Sequence, residues 1–141
     1  AELLDLIRHH YTQTGPTFIH DRAHALAERL RETPEDRERV VLAWKSLGVN
    51  AIPVLQGFYN DASLAMRLAS LEAGAYLGDA RASRSLEELA FHADPSVRKR
   101  VADALANLPQ SLQGETTLRR LLDDEDQSVR IAAYESLAEI N

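Results

Sequence analysis

The chain contains no cysteine, which excludes disulfides, thiolate metal sites and thiol catalysis. Aromatic residues make up only 6% of it, with a single tryptophan, Trp44. The apolar load therefore falls on Leu, Ala, Val and Ile, a mix that suits closely packed helices. Lysine is almost missing: of 16 basic residues only Lys45 and Lys99 are lysines. Six glycines, none in a glycine-rich run, leave no phosphate-cradling loop, and no nucleophile elbow occurs. No apolar run approaches the roughly 20 residues needed to span a bilayer, and Ala1 to Arg8 lack the layout of a signal peptide. A membrane partner is not expected. Acidic residues outnumber basic ones by 22 to 16, giving a formal charge of −6. That field disfavours non-specific binding to nucleic acid or to anionic lipid. The expected location is the cytoplasm, although a chain without cysteine is equally compatible with an oxidising compartment.

What the chain does have is one pattern written four times, at intervals of 30, 31 and 32 residues. Each copy opens on a small oxygen-bearing residue: Thr33, Ser63, Asp94 and Asp126. Four residues later stands an arginine: Arg37, Arg67, Arg98 and Arg130. A small residue follows (Ala43, Ala73, Ala104, Ser136), and an aliphatic closes the copy (Leu47, Leu77, Leu108, Ile140). A period of this length implies a stack of similar units rather than one globular core. At 141 residues with 45% apolar content, the chain is long enough for a single folded domain.

Each copy reads as a capped helix. The opening residues are all N-cap types, and Pro34 and Pro95 follow directly at the position where proline is tolerated. Val97, Val101, Leu105 and Leu108 recur at helical spacing, as do Val129, Ala133, Leu137 and Ile140. The second copy is less regular, with Ser70 and Gly74 as weak core residues. Shorter helices are expected over 52–59, 85–91 and 117–122, with turn material at Gly48-Val49-Asn50, Gly78-Asp79, Pro109-Gln110 and Gln113-Gly114. The unit is thus helix A, turn, helix B. Arg22 to Arg31 supplies helix A of the first copy. Glu2 to Tyr11 reads as a capping helix separated from the array by a break at Gly15-Pro16. The expected division is a cap and linker over 1–17, then repeats at about 18–48, 49–78, 79–109 and 110–141. No polar capping unit closes the last copy, so the chain reads as a piece of a longer protein.

The tract from Asp126 to Ile140 (Asp-Gln-Ser-Val-Arg-Ile-Ala-Ala-Tyr-Glu-Ser-Leu-Ala-Glu-Ile) resembles the second helix of a HEAT repeat, and Asp94 to Leu108 matches nearly as well. Leu77-Gly78-Asp79-Ala80 and Leu47-Gly48 resemble the joints of short, bacterial-type HEAT-like arrays, the kind shared with bilin lyases. The resemblance covers 33–141, and 18–32 more loosely. The first copy departs from it by placing Asp36 where the others have Met66, Val97 and Val129, as suits an end position. The resemblance implies an all-α, right-handed α-α superhelix that binds proteins, and it says little about function beyond that.

The four arginines could form an anion ladder, but pairing with an acid of the same or the next copy (Asp94, Asp123, Asp124, Asp126) is the stronger expectation, because they occur once per repeat. His20 and His24 share a helix face. With Asp21, Glu28 or His9-His10 they could approach a metal, yet no HExxH motif or third fixed ligand accompanies them. No metal or other cofactor is expected. HEAT-like hydroxylases use His-Glu ligands, and no His here precedes a Glu. Nothing marks a chromophore site of the bilin-lyase kind. HEAT-like DNA glycosylases line one face with basic and aromatic residues; here Arg67, Arg98, Lys99, Arg100 and Tyr76 are offset by Glu72, Asp103, Glu135 and Glu139. Trp44 belongs to an apolar stripe and to the core. The expectation is a non-enzymatic protein-binding scaffold whose partner contacts Glu72, Tyr76, Lys99, Arg100 and Asp103 on the ridge of the inner helices. The alternatives are a nucleic-acid-binding or repair protein on the same scaffold, and a structural spacer within a larger chain.

Overall fold

The computed structural model describes residues 2–109 and 114–140, with side chains from Thr17 onward. Among the described residues the secondary structure is entirely helical. The α-helices are α1 (Glu2–Glu32), α2 (Arg37–Leu47), α3 (Ile52–Gln56), α4 (Leu64–Tyr76), α5 (Ala80–Leu89), α6 (Pro95–Leu105), α7 (Glu115–Leu121) and α8 (Gln127–Ile140). Helices α2, α4, α6 and α8 are the B helices of the four copies. The C-terminal part of α1, then α3, α5 and α7, are the A helices. The architecture is the all-α solenoid expected from the repeats.

Three of the four caps form as the residue types dictate. The Ser63 hydroxyl accepts the Met66 amide at 3.3 Å, Asp94 accepts the Ser96 amide at 2.9 Å, and Asp126 accepts the Ser128 amide at 2.8 Å. A cap of this kind contributes roughly 1 kcal/mol to its helix. Thr33 departs from the expectation: it makes no side-chain cap bond and precedes a 3₁₀ turn, Pro34–Asp36, so that α2 starts at Arg37. The cause is Asp36. Its carboxylate cannot enter the core as Met66, Val97 and Val129 do, and it turns outward to accept Arg29 Nε at 3.0 Å.

Two further expectations are corrected. The capping helix is not broken at Gly15-Pro16; α1 is one 31-residue helix running through both. An internal proline costs about 3 kcal/mol but removes a single amide donor. The turns downstream are already nucleated, since Ala23, Leu26, Ala27 and Leu30 are buried in the core. Helix α5 begins at Ala80 rather than Ser85, because Asp79 caps it by accepting the Arg81 amide at 3.1 Å. The linker residues 110–113 lie outside the described residues.

The core runs the length of the stack. Trp44 is fully buried and donates its indole N–H to the Ala23 carbonyl at 3.1 Å. Ser70 and Gly74 are tightly packed positions rather than weak ones. The Ser70 hydroxyl returns to the Met66 and Arg67 carbonyls at 2.9 and 3.0 Å, so it enters the core satisfied. A β-carbon on Gly74 would fall inside the Tyr59 hydroxyl and lie 3.2 Å from the Ala82 β-carbon. Tyr59 crosses α4 there to donate to Asp79 at 2.8 Å, beside Gln56 at 3.0 Å.

The spacing of the B helices positions the site. Helix α2 packs closely on α4, and α6 on α8, whereas α4 and α6 make no comparable contact. The Ser136 hydroxyl donates to the Ala102 carbonyl at 2.8 Å, so that face of α8 looks at α6. One turn earlier on the same face stands Ala132, and its counterparts are Ala69 in α4 and Arg100 in α6. Buried alanines let α4 and α8 close on their neighbours. Arg100 is a long cation at the same position, in the one B helix that does not close on its predecessor.

Candidate functional site

The gap between α4 and α6 opens into a cavity of about 390 Å³ shared by three B helices. Helix α2 contributes Arg37, Glu38, Val41, Leu42 and Lys45, helix α4 contributes Glu72, and helix α6 contributes Arg100 and Asp103. Leu42, Glu72 and Asp103 occupy equivalent places nine residues after their caps, as does Glu135 in α8. The cavity therefore lies on a continuous ridge of the repeat.

Arg100 is the most perturbed group in it. Its side chain is only 22% exposed, and its Nη2 is buried without a hydrogen-bond acceptor. The nearest carboxylate oxygen, on Glu72, stands 4.0 Å away, beyond hydrogen-bond range. Loss of hydration brings the guanidinium down to about 10, the charge on Arg37 adds to the effect, and Glu72 opposes it. Asp103 is shifted upward, by restricted hydration at the cavity wall and by the charges on Glu135 and Glu139, against the pull of Lys99.

The five residues expected at a contact patch divide. Glu72, Arg100 and Asp103 come together in the cavity. Tyr76 lies beside it, 44% exposed, with the Lys45 ammonium 4.6 Å from its ring centroid, a cation–π contact. Lys99 is exposed and outside the cavity wall. The sequence names Arg37 only as one of four column arginines, expected to pair with acids, and Leu42 is not among the expected contact residues. The signal for Leu42 was its register with Glu72 and Asp103, and for Arg37 it was the missing loop behind it.

That loop explains the arginine column. Arg67, Arg98 and Arg130 each donate through Nη1 to the carbonyl six residues upstream, on Asp61, His92 and Asp124, at 2.7, 2.8 and 2.7 Å. Each arginine thereby fastens the loop entering its own helix. The expected carboxylate ladder has one rung from this column: Arg98 grips Asp124 through Nε and Nη2 at 2.9 and 3.0 Å, with both side chains 9% exposed. A second pair, Arg31 to Asp61 at 2.6 Å, comes from α1 instead. Six residues before Arg37 lies Arg31, inside α1. With no loop carbonyl to hold, the Arg37 side chain makes no hydrogen bond or ion pair to a described residue and lines the cavity.

The rings of His20 and His24 lie 4.5 Å apart and Asp21 is 3.5 Å from His20. Among the described residues no group of three His, Asp or Glu could hold a metal ion. The side chains of His9 and His10 lie outside the described ones. No helix among the described residues is long and apolar enough to cross a membrane.

No curated protein matches the chain. Among solved structures, a chain in the complex of CpcE and CpcF of phycocyanin lyase from Nostoc sp. PCC7120 is similar, at 26% identity and a TM-score of 0.66. The alignment covers 84% of this chain and 77% of that one. The family model described as HEAT repeats matches residues 86–141. That segment holds the last two copies of the pattern, and together with the capped helical pairs that precede it forms an all-α repeat solenoid similar to HEAT repeats.

Proposed function

We propose that this protein is an interaction module, without catalysis of its own, that receives a partner protein along the ridge of its B helices. The observation that carries the reading is the cavity itself. Three consecutive B helices contribute to one depression with charged walls, and large apolar groups stay open at and beside it. Leu42 (66% exposed) and Tyr76 are large apolar groups left open beside it, and aromatic residues and arginine are the types that dominate binding energy at interfaces. The similar solved chain comes from a complex of two proteins, which supports a scaffold that works by pairing. Glu72, Tyr76, Lys99, Arg100 and Asp103 form the proposed contact patch, joined by Arg37 and Leu42.

Affinity capture from an extract of the source organism tests this, using the protein beside a Tyr76→Ala, Lys99→Glu double variant. Both positions are solvent-facing, so matching circular dichroism is expected. A protein retained by the unmodified chain and lost by the variant supports the ridge. Equal retention by both would remove Tyr76 and Lys99 from the contact and, with Leu42→Ala equally silent, the ridge altogether.

A further inference from the structure

We propose that the notch between Arg37 and Arg100 is a binding site for a carboxylate group. Where a partner protein supplies that group, the inference rests on the ridge reading above; the chemistry of the notch does not.

Two guanidinium groups face this cavity with their hydrogen-bonding incomplete. Nη2 of Arg100 is closed off from solvent without an acceptor, so a ligand meets this guanidinium through the 22% of the side chain that stays exposed in the cavity wall. Buried donors are nearly always paired in native proteins, and a charged donor left bare is costlier than a neutral one. Arg37 has no ion pair with any described residue and repels Arg100 across the notch. Two cations facing each other over open space are stabilised by an anion between them. The planar fork of arginine is matched to a carboxylate, which it grips through two parallel N–H···O bonds.

The rest of the wall selects the kind of anion. Glu38, Glu72 and Asp103 also line the cavity and repel a dianion more strongly than a monoanion. The third cation, Lys45, is engaged with Tyr76. Val41 and Leu42 flank the charges with apolar surface. A monocarboxylate on a short alkyl stem meets all of these conditions, and inorganic phosphate does not. Glutamate borne by a partner and a free aliphatic acid share this chemistry.

The register of the repeat explains why the site occurs once. The position of Arg100 is alanine in α4 and α8, where the helices close up. Arg37 belongs to the one copy whose arginine has no loop carbonyl to hold. The end copy and the third copy, each irregular alone, meet across α4.

The test is a titration followed by the Nε–H resonances of Arg37 and Arg100 in ¹H–¹⁵N spectra, assigned with Arg37→Gln and Arg100→Gln. The probes are butyrate, the blocked peptide acetyl-Leu-Glu-Leu-amide and inorganic phosphate, with ionic strength held constant by chloride. Saturable shifts of both resonances with butyrate or peptide, weakened by Arg100→Lys, support the site. Peptide binding at least about tenfold tighter than butyrate assigns the carboxylate to a protein; equal binding assigns it to a free acid. No saturable shift with either carboxylate, or a response to phosphate equal to that to butyrate, overturns the proposal. The unmodified protein decides the matter even if a variant fails to fold. Saturation by butyrate with no partner captured would sink the ridge reading alone, and capture without any arginine shift would sink the carboxylate site alone.

Discussion

Replacing Arg100 by methionine should make the protein more stable. The guanidinium is drawn down from its ordinary value to about 10, chiefly by loss of hydration. At about 1.4 kcal/mol for each tenfold change in proton affinity, the folded state carries on the order of 3 kcal/mol of unfavourable charge burial. The sign is fixed by the direction of the shift. Arg100 is a base whose folded-state value is lowered, so below about pH 10 it is charged in both states and the destabilisation is fully present. It is relieved only as pH rises from the folded value toward the ordinary one. Methionine replaces the aliphatic stem, stops two atoms short of the guanidinium tip, and can lie along the wall of the cavity. Glu72 loses its distant partner, which offsets up to about 1 kcal/mol. The net gain of roughly 2 kcal/mol corresponds to a rise in Tm of about 6 °C for a chain of this size. Thermal unfolding at neutral pH followed by far-UV circular dichroism reads it directly. An unchanged or lower Tm would mean that Arg100 is satisfied in solution, and the account of the notch as a site missing its anion would be wrong. Saturating butyrate should narrow the difference by stabilising only the unmodified protein.

Asp124→Ala should lower Tm more than Asp61→Ala, because the first strands the enclosed Arg98 while the second releases the 41% exposed Arg31; a reversed order in thermal melts would refute the ranking. Gly74→Ala should destabilise by about 1–3 kcal/mol through overpacking against Tyr59 and Ala82. Pairing it with Tyr59→Phe, which removes the clashing hydroxyl, should cost less than the sum of the two single changes in urea titrations. Acid should weaken the fold between about pH 4 and pH 2. Asp61 is held down at about 2 by Arg31 and the Ser63 amide, and Asp79, Asp94, Asp124 and Asp126 are also lowered. Their stabilisation is present above the ordinary carboxylate range and is lost as pH falls through the folded values. Asp61→Asn should flatten the Tm profile in that window.

The fold was legible because its signals are local. A cap residue, a following proline and an apolar stripe each act within one helix, so Asp94 and Asp126 announced α6 and α8 without knowledge of their neighbours. Errors arose where a distant group decides the outcome. The register at Gly74 depends on Tyr59, which reaches across from the turn after α3, and the start of α5 on a cap that resembles a turn. The arginine column was expected to seek carboxylates, but a side chain of that length reaches its own loop carbonyls first. The site was half legible. Glu72, Arg100 and Asp103 could be placed on one ridge by periodicity, whereas Arg37 gains its place from a bond it fails to make. The unequal spacing of α4 and α6 was written in a column that holds alanine at 69 and 132 and arginine at 100. Reading it required knowing which face of each helix meets the preceding one.

In a stack where each unit touches only its neighbours, the stability of the whole is transmitted through successive interfaces. The α4–α6 junction is the weakly coupled one, bridged chiefly by α5. Cooperative unfolding should therefore part along that line. Helices α6 to α8 form one block, bound together by the Ser136 bond and the Arg98–Asp124 grip, and α1 to α5 form the other. Amide exchange under native conditions would show two plateaus of protection rather than one. An anion seated between Arg37 and Arg100 would bridge the blocks and draw the two plateaus together.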